Sequence, residues 1–159
     1  MKSVIGVDPG SKQSAFVWWN GKEILEKGLH PNEELIPILC HKWNTNREPI
    51  TLAIESMVHI HVPKTGKLKG AGKDICDTLR WEGQFYRAWL GDREFVPGHI
   101  IRKALGAKND KEIRMVLIQR FGVELTSGLK GKGYHLWRAF AVCVYYMDHL
   151  NFQERILKG

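Results

Sequence analysis

In Val4-Ile5-Gly6-Val7-Asp8-Pro9-Gly10 a run of apolar residues ends abruptly on a carboxylate followed by turn residues. A short run that is apolar almost throughout, from residue 2 to residue 8, is the pattern of a strand covered on both faces of its sheet. Pro9-Gly10-Ser11-Lys12 is turn chemistry. A second run of the same kind, Thr51-Leu52-Ala53-Ile54-Glu55-Ser56, also ends on an acid. Removing a carboxylate from water is costly unless it is paired. Two acids at the tips of two buried strands are therefore poorly explained by folding alone.

The elements around these runs define the rest of the expected fold. Ser14 to Trp19 reads as a second strand, and Asn20-Gly21 as a hairpin turn into a third, Lys22 to Leu29. Asn32 is placed to cap a helix from Glu33 to about Trp43, with Pro37 inside it. Ile50 to Glu55 is the fourth strand. The glycine- and lysine-rich stretch Pro63 to Lys73 reads as a loop. A helix from about Asp74 to Leu90 carries Trp81, Phe85 and Trp89 at successive i, i+4 positions, most simply a core stripe. Gly83 within it would cost roughly 1 kcal/mol against alanine, or would permit close helix approach across a dimer interface. Glu94 to Val96 is a short fifth strand, followed by a helix from His99 to Leu105. Asn109 and Glu112 form a capping box for a helix ending at Phe121, with Gly122 as its stop. A last helix runs from His135 to about Leu150. The order suits a ribonuclease H-like α/β fold: a mixed five-stranded sheet flanked by helices, its first and fourth strands side by side. That adjacency would bring Asp8 and Glu55 together.

Composition limits what such a fold is for. The 159 residues suit one domain, residues 1–159, and carry 24 Lys plus Arg against 17 Asp plus Glu, a net charge of +7. Such an excess favours a polyanion partner, nucleic acid before an anionic membrane. Cys40, Cys76 and Cys143 are widely spaced and odd in number, which indicates neither a disulfide framework nor a zinc ribbon. A reducing, cytoplasmic compartment is expected. The longest apolar run, Ala139 to Met147, is too short to cross a bilayer, so no membrane partner is expected.

Phosphodiester hydrolysis needs an activated water and a stabilised leaving oxyanion, and Mg2+ supplies both. Mg2+ is commonly held by one or two carboxylates, with water and substrate phosphate completing its shell. Asp8 and Glu55 on neighbouring strand ends would provide that pair. Against this stands a simpler reading, in which Asp8 caps the Pro9-Gly10 turn and Glu55 is a solvated strand end.

Ile5-Gly6-Val7-Asp8-Pro9-Gly10-Ser11 resembles the opening of the RuvC-type Holliday-junction resolvases, phage members included. Ala53-Ile54-Glu55 resembles their second motif, and His135-Leu136-Trp137-Arg138-Ala139-Phe140-Ala141 their third. The resemblance implies a homodimeric, Mg2+-dependent endonuclease of DNA recombination and repair. It would make paired nicks in four-way DNA junctions inside a bacterial or phage-infected cell. It implies metal-binding roles for Asp8, Glu55 and His135, and Mn2+ could replace Mg2+. Where the family carries a further metal-binding Asp, this chain has Arg138. Residues i and i+3 share a helix face, so Arg138 points where His135 points. Its charge near Mg2+ would cost on the order of several kcal/mol at 4 Å before screening. Asp148, roughly 20 Å along the same helix, is too far to compensate. Three readings stay open. Arg138 contacts the scissile phosphate while fewer ligands hold the metal; the protein binds junctions without cutting them; or the change is engineered or degenerate.

Lys64, Lys67, Lys69 and Lys73 follow the second acidic position, and Lys130 and Lys132 precede His135. Lysines on either side of the acids are the expected DNA contacts, each adding salt-dependent affinity, and Leu68 is a candidate wedge. His59 and His61 lack a third ligand at zinc spacing and read as a surface strand. The actin-like ATPases and sugar kinases also open with strand, Asp and Gly, but they need two such domains.

Overall fold

The computed structural model describes residues 3–46, 48–57, 71–131 and 133–158. Five strands, β1 (Ser3–Asp8), β2 (Gln13–Trp19), β3 (Ile24–Pro31), β4 (Ile50–Ser56) and β5 (Arg93–Pro97), form one sheet in the order β3-β2-β1-β4-β5. Strand β1 is antiparallel to β2 and parallel to β4, and β5 extends the parallel half. Among the described residues five helices accompany the sheet: α1 (Asn32–Thr45), α2 (Ala71–Ala88), α3 (Gly98–Leu105), α4 (Asp110–Thr126) and α5 (His135–Lys158). This is the expected ribonuclease H-like architecture, with the first and fourth strands adjacent.

Both faces of the sheet are covered, which is why β1 is apolar without alternation and buried throughout. Ile5 and Val7, with Phe16, Leu52 and Ile54, pack on Leu35 and Leu39 of α1 and on Trp81, Phe85 and Trp89 of α2. The aromatic stripe is therefore core, as its spacing suggests. Val4, Ala15, Val17, Ala53 and Val96 turn the other way, towards Ala139, Phe140 and Cys143 of α5, with Ile101 of α3 and Ile113 and Leu117 of α4 beside them. Gly6 lies on this second face. A Cβ there would stand 2.3 Å from the Ala139 carbonyl oxygen and 2.7 Å from Cys143 Sγ. The missing side chain is what lets α5 lie directly on β1.

Several local expectations change. Asn32 does not cap α1, which lacks a side-chain cap. Buried instead, it accepts a hydrogen bond from Ser14 Oγ at 2.6 Å and donates to the Gly10 carbonyl at 2.9 Å. Strand β3 runs straight into α1, so the Asn32 side chain is free to tie down the turn after β1. Helix α2 starts at Ala71, which puts Lys73 in its first turn and not in a loop. The Asn109–Glu112 box forms, with Glu112 N–H bonded to Asn109 at 3.0 Å. Gly122, at φ 81°, breaks α4 where the stop was expected, but a further turn follows to Thr126. Helix α5 continues to Lys158. Among the described residues no helix is long and apolar enough to cross a membrane.

Candidate active site

The alternation that sorts β1 and β4 by face also aims their terminal acids. Asp8 follows Val4 and Gly6, and Glu55 follows Ala53, so both carboxylates point to the α5 side. The β1–β4 register pairs Val7 with Ile54, and one step further sets Asp8 opposite Glu55. Helix α5 passes over these strand ends with His135 and Arg138 in its first turn.

The four side chains form one charged cluster. His135 Nδ1 is 2.8 Å from Asp8 Oδ2. Arg138 Nη2 donates to Glu55 Oε1 at 2.7 Å, and its Nε lies 3.5 Å from Asp8 Oδ1. The Asp8 side chain is 1% exposed and that of Glu55 8%, so Glu55 is not a solvated strand end. Nor does Asp8 cap the turn, whose Gly10 N–H is bonded by Ser14 Oγ. Burial, and then the negative charge of Asp8, raise the Glu55 carboxyl above the usual carboxylate range, with Arg138 opposing them. The hydrogen bond to Asp8 raises His135 above an ordinary histidine against the pull of partial burial. Burial works against charge on Arg138, yet the Asp8 and Glu55 carboxylates more than offset it and raise its pKa.

Three further residues shape the site without having stood out in the sequence. Gly98 closes over Glu55, since a Cβ there would fall 2.3 Å from Glu55 Oε1. Glu82 is buried and accepts bonds from Ser56 Oγ at 3.0 Å and the Met57 N–H at 3.1 Å, holding the end of β4 just beyond Glu55. Burial raises its carboxyl too. Its signal was present: Thr78, Glu82, Phe85 and Trp89 fall on one helix face, so an acid interrupts an apolar stripe. Asp110, at the start of α4, adds negative potential at both His135 and Arg138. It is the nearby acid that linear spacing did not reveal.

Among the described residues no three His, Cys, Asp or Glu side chains converge as a metal cluster. His135, expected as a ligand, has its Nδ1 on Asp8. Two buried carboxylates nevertheless suit a hard cation, and here they already share one, the Arg138 guanidinium. Its Nε is buried without a hydrogen-bond partner among the described residues, so the guanidinium fills the place imperfectly. Mg2+ fits Asp8 and Glu55 only in place of Arg138.

Of the expected DNA contacts, Lys73 and Lys130 are exposed. Lys64, Lys67, Lys69, Lys132, Leu68, His59 and His61 lie outside the described residues.

Comparison of the whole fold with solved structures gives matches along nearly its full length. Thermus thermophilus RuvC in complex with Holliday junction substrate superposes with a TM-score of 0.66 at 12% identity, covering 94% of this chain and 96% of that one. The fowlpox virus resolvase in complex with its substrate Holliday junction DNA gives 0.57 at 11%, covering 92% and 99%. The fold is that of the RuvC-type resolvases. No protein-family model matches the sequence, and no curated protein matches it. At these identities the RuvC-type likeness is one of architecture, and the side-chain chemistry rests on the cluster itself.

Proposed function

We propose that this protein is a structure-specific endodeoxyribonuclease that binds four-way and other branched DNA junctions as a homodimer and resolves them by paired nicks. One observation carries the reading. Asp8 and Glu55 stand at adjacent strand ends close enough for one guanidinium to engage both, in a fold shared end to end with proteins whose structures hold Holliday junction DNA. Asp8 and Glu55 would hold Mg2+, or Mn2+, which when bound supplies an activated water and stabilisation of the leaving oxyanion.

The chain's own residues do the rest. Arg138, leaving the carboxylates, is positioned to take a phosphate oxygen, a planar fork on a tetrahedral anion. His135 keeps Nδ1 on Asp8, and its 44% exposed side chain leaves Nε2 as the donor to a phosphate or leaving oxygen. Lys73 and Lys130, with Lys64, Lys67, Lys69 and Lys132, supply backbone contacts. Gly83 presents an open face on α2, where a Cβ would meet no atom within 4 Å from the described residues beyond its own stretch of helix, and this is the surface proposed for the second subunit. A role in recombination and repair in the cytoplasm belongs to the same proposal.

The position of Arg138 favours a second reading, junction binding without cleavage, in which the guanidinium permanently takes the place of the ion. A strand-labelled four-way junction incubated with Mg2+ separates the two. Symmetric nicks in wild type, lost in Asp8→Asn while binding persists, are expected. Tight binding with no product would establish the second reading, and cleavage appearing only in Arg138→Asp would identify what blocks it. Absence of both binding and product would remove both readings.

A further inference from the structure

A cavity of about 360 Å³ opens beside the carboxylate cluster, lined by Arg114, Lys130, Gly131, Gly133, Tyr134 and Trp137. Its walls come from α4, from the loop before α5 and from the first turn of α5, so it adjoins His135 in the chain. Arg114 lies with its guanidinium carbon 5.5 Å from the centre of the Trp137 ring. That contact fixes the cation while leaving its donors free, and Arg114 makes no ion pair among the described residues. Trp137 is buried core, so it is a rigid floor; Tyr134 is 37% exposed and stands at the rim. The described lining carries no carboxylate. Gly131 and Gly133 add no side chains to the loop wall, and Gly133, at φ 82°, would be strained by any other residue.

Two cations and an accessible aromatic ring around a pocket of this size are the recognition chemistry of one nucleotide: phosphate on the cations, base on the ring. A duplex arm keeps its bases stacked inside and has nothing to offer Tyr134. An unpaired strand does. Resting on the junction-binding reading, we infer that this cavity holds a nucleotide of an unpaired DNA strand beside the cleavage centre. Arg114 and Lys130 take the phosphate and Tyr134 stacks on the base. The preferred substrates would then be junctions with a single-stranded segment, such as gapped junctions and flaps.

The test uses two probes on the full chain: a 5′-phosphorylated oligothymidylate of four nucleotides, and a four-way junction paired throughout. Wild type is expected to bind both. Arg114→Gln and the surface variant Lys130→Gln should each weaken the oligonucleotide, Arg114→Gln about tenfold, and each should lower the salt slope by about one. Tyr134→Ala should weaken it about tenfold with the salt slope unchanged. Arg114→Gln and Tyr134→Ala should keep most of their affinity for the paired junction, whereas Lys130→Gln, a backbone contact on both DNAs, should lose affinity on both. Wild-type failure to bind the oligonucleotide, unchanged oligonucleotide affinity in the variants, or equal losses on both probes in Arg114→Gln or Tyr134→Ala would each overturn the inference. Failure of wild type on the paired junction would instead overturn the function it rests on.

Discussion

Arg138 lies between Asp8 and Glu55, 3.5 Å from the first and 2.7 Å from the second. It neutralises two buried acids that would otherwise repel each other, and its removal leaves them without a cation. Arg138→Ala is expected to lower stability at neutral pH by about 1.5–3 kcal/mol, the range for a hydrogen bond to a charged group, read from denaturant unfolding. The same variant frees the pair for metal. Millimolar Mg2+ should raise its melting temperature while moving wild type little, since only binding to the folded state shifts that equilibrium; equal shifts in both would contradict the exchange. His135 gives a pH signature. Its folded pKa lies above the ordinary 6.5, so the folded state binds the proton more tightly than the unfolded chain does. Its contribution to stability is therefore full below about 6.5 and is lost as pH rises through the folded value. The His135 ring protons followed by NMR should titrate above 6.5 and move down in Asp8→Asn. Asp8 and Glu55 were legible in the sequence because strand ends are local patterns, whereas His135 and Arg138 stood out only through the resemblance of their segment to the third motif. That Arg138 bridges both acids was not legible, because it depends on how far α5 slides along the sheet.

At the scale of elements, that placement depends on Gly6 and Gly98. Gly6→Ala would press a methyl group into the α5 backbone, and helix backbone cannot give way as a side-chain end does. A loss of about 1–3 kcal/mol or more is expected from such overpacking. Cleavage should fall with it as His135 and Arg138 are lifted from Asp8, and an unchanged melting temperature would refute the role assigned to Gly6. Gly98→Ala meets the Glu55 carboxylate instead, so the prediction is a disturbed cluster with a smaller stability loss. Strand order, the hairpin and the Asn109–Glu112 box could be read in advance because alternation, turn residues and capping act over a few positions. Close approaches at Gly6 and Gly98 join residues far apart in sequence, and nothing local marks them. Asn32 misled for a related reason: its type suits a cap, but the buried Ser14 hydroxyl and the Gly10 carbonyl claim its side chain.

At the scale of the whole molecule, the mixed sheet with β1 and β4 adjacent was legible because only a few topologies fit five strands in this order. The excess of 24 basic over 17 acidic residues acts through the entire surface. DNA affinity should fall steeply with salt, the slope counting the phosphates neutralised. Net charge alone would attract any duplex, however, whereas the proposed function requires selection of a branch point. The direct measurement is competition binding at physiological salt between a four-way junction and a linear duplex of the same arm sequence. A junction-resolving endonuclease should prefer the junction on the order of tenfold or more, about 1.4 kcal/mol or greater. Equal affinity for the two DNAs would contradict it.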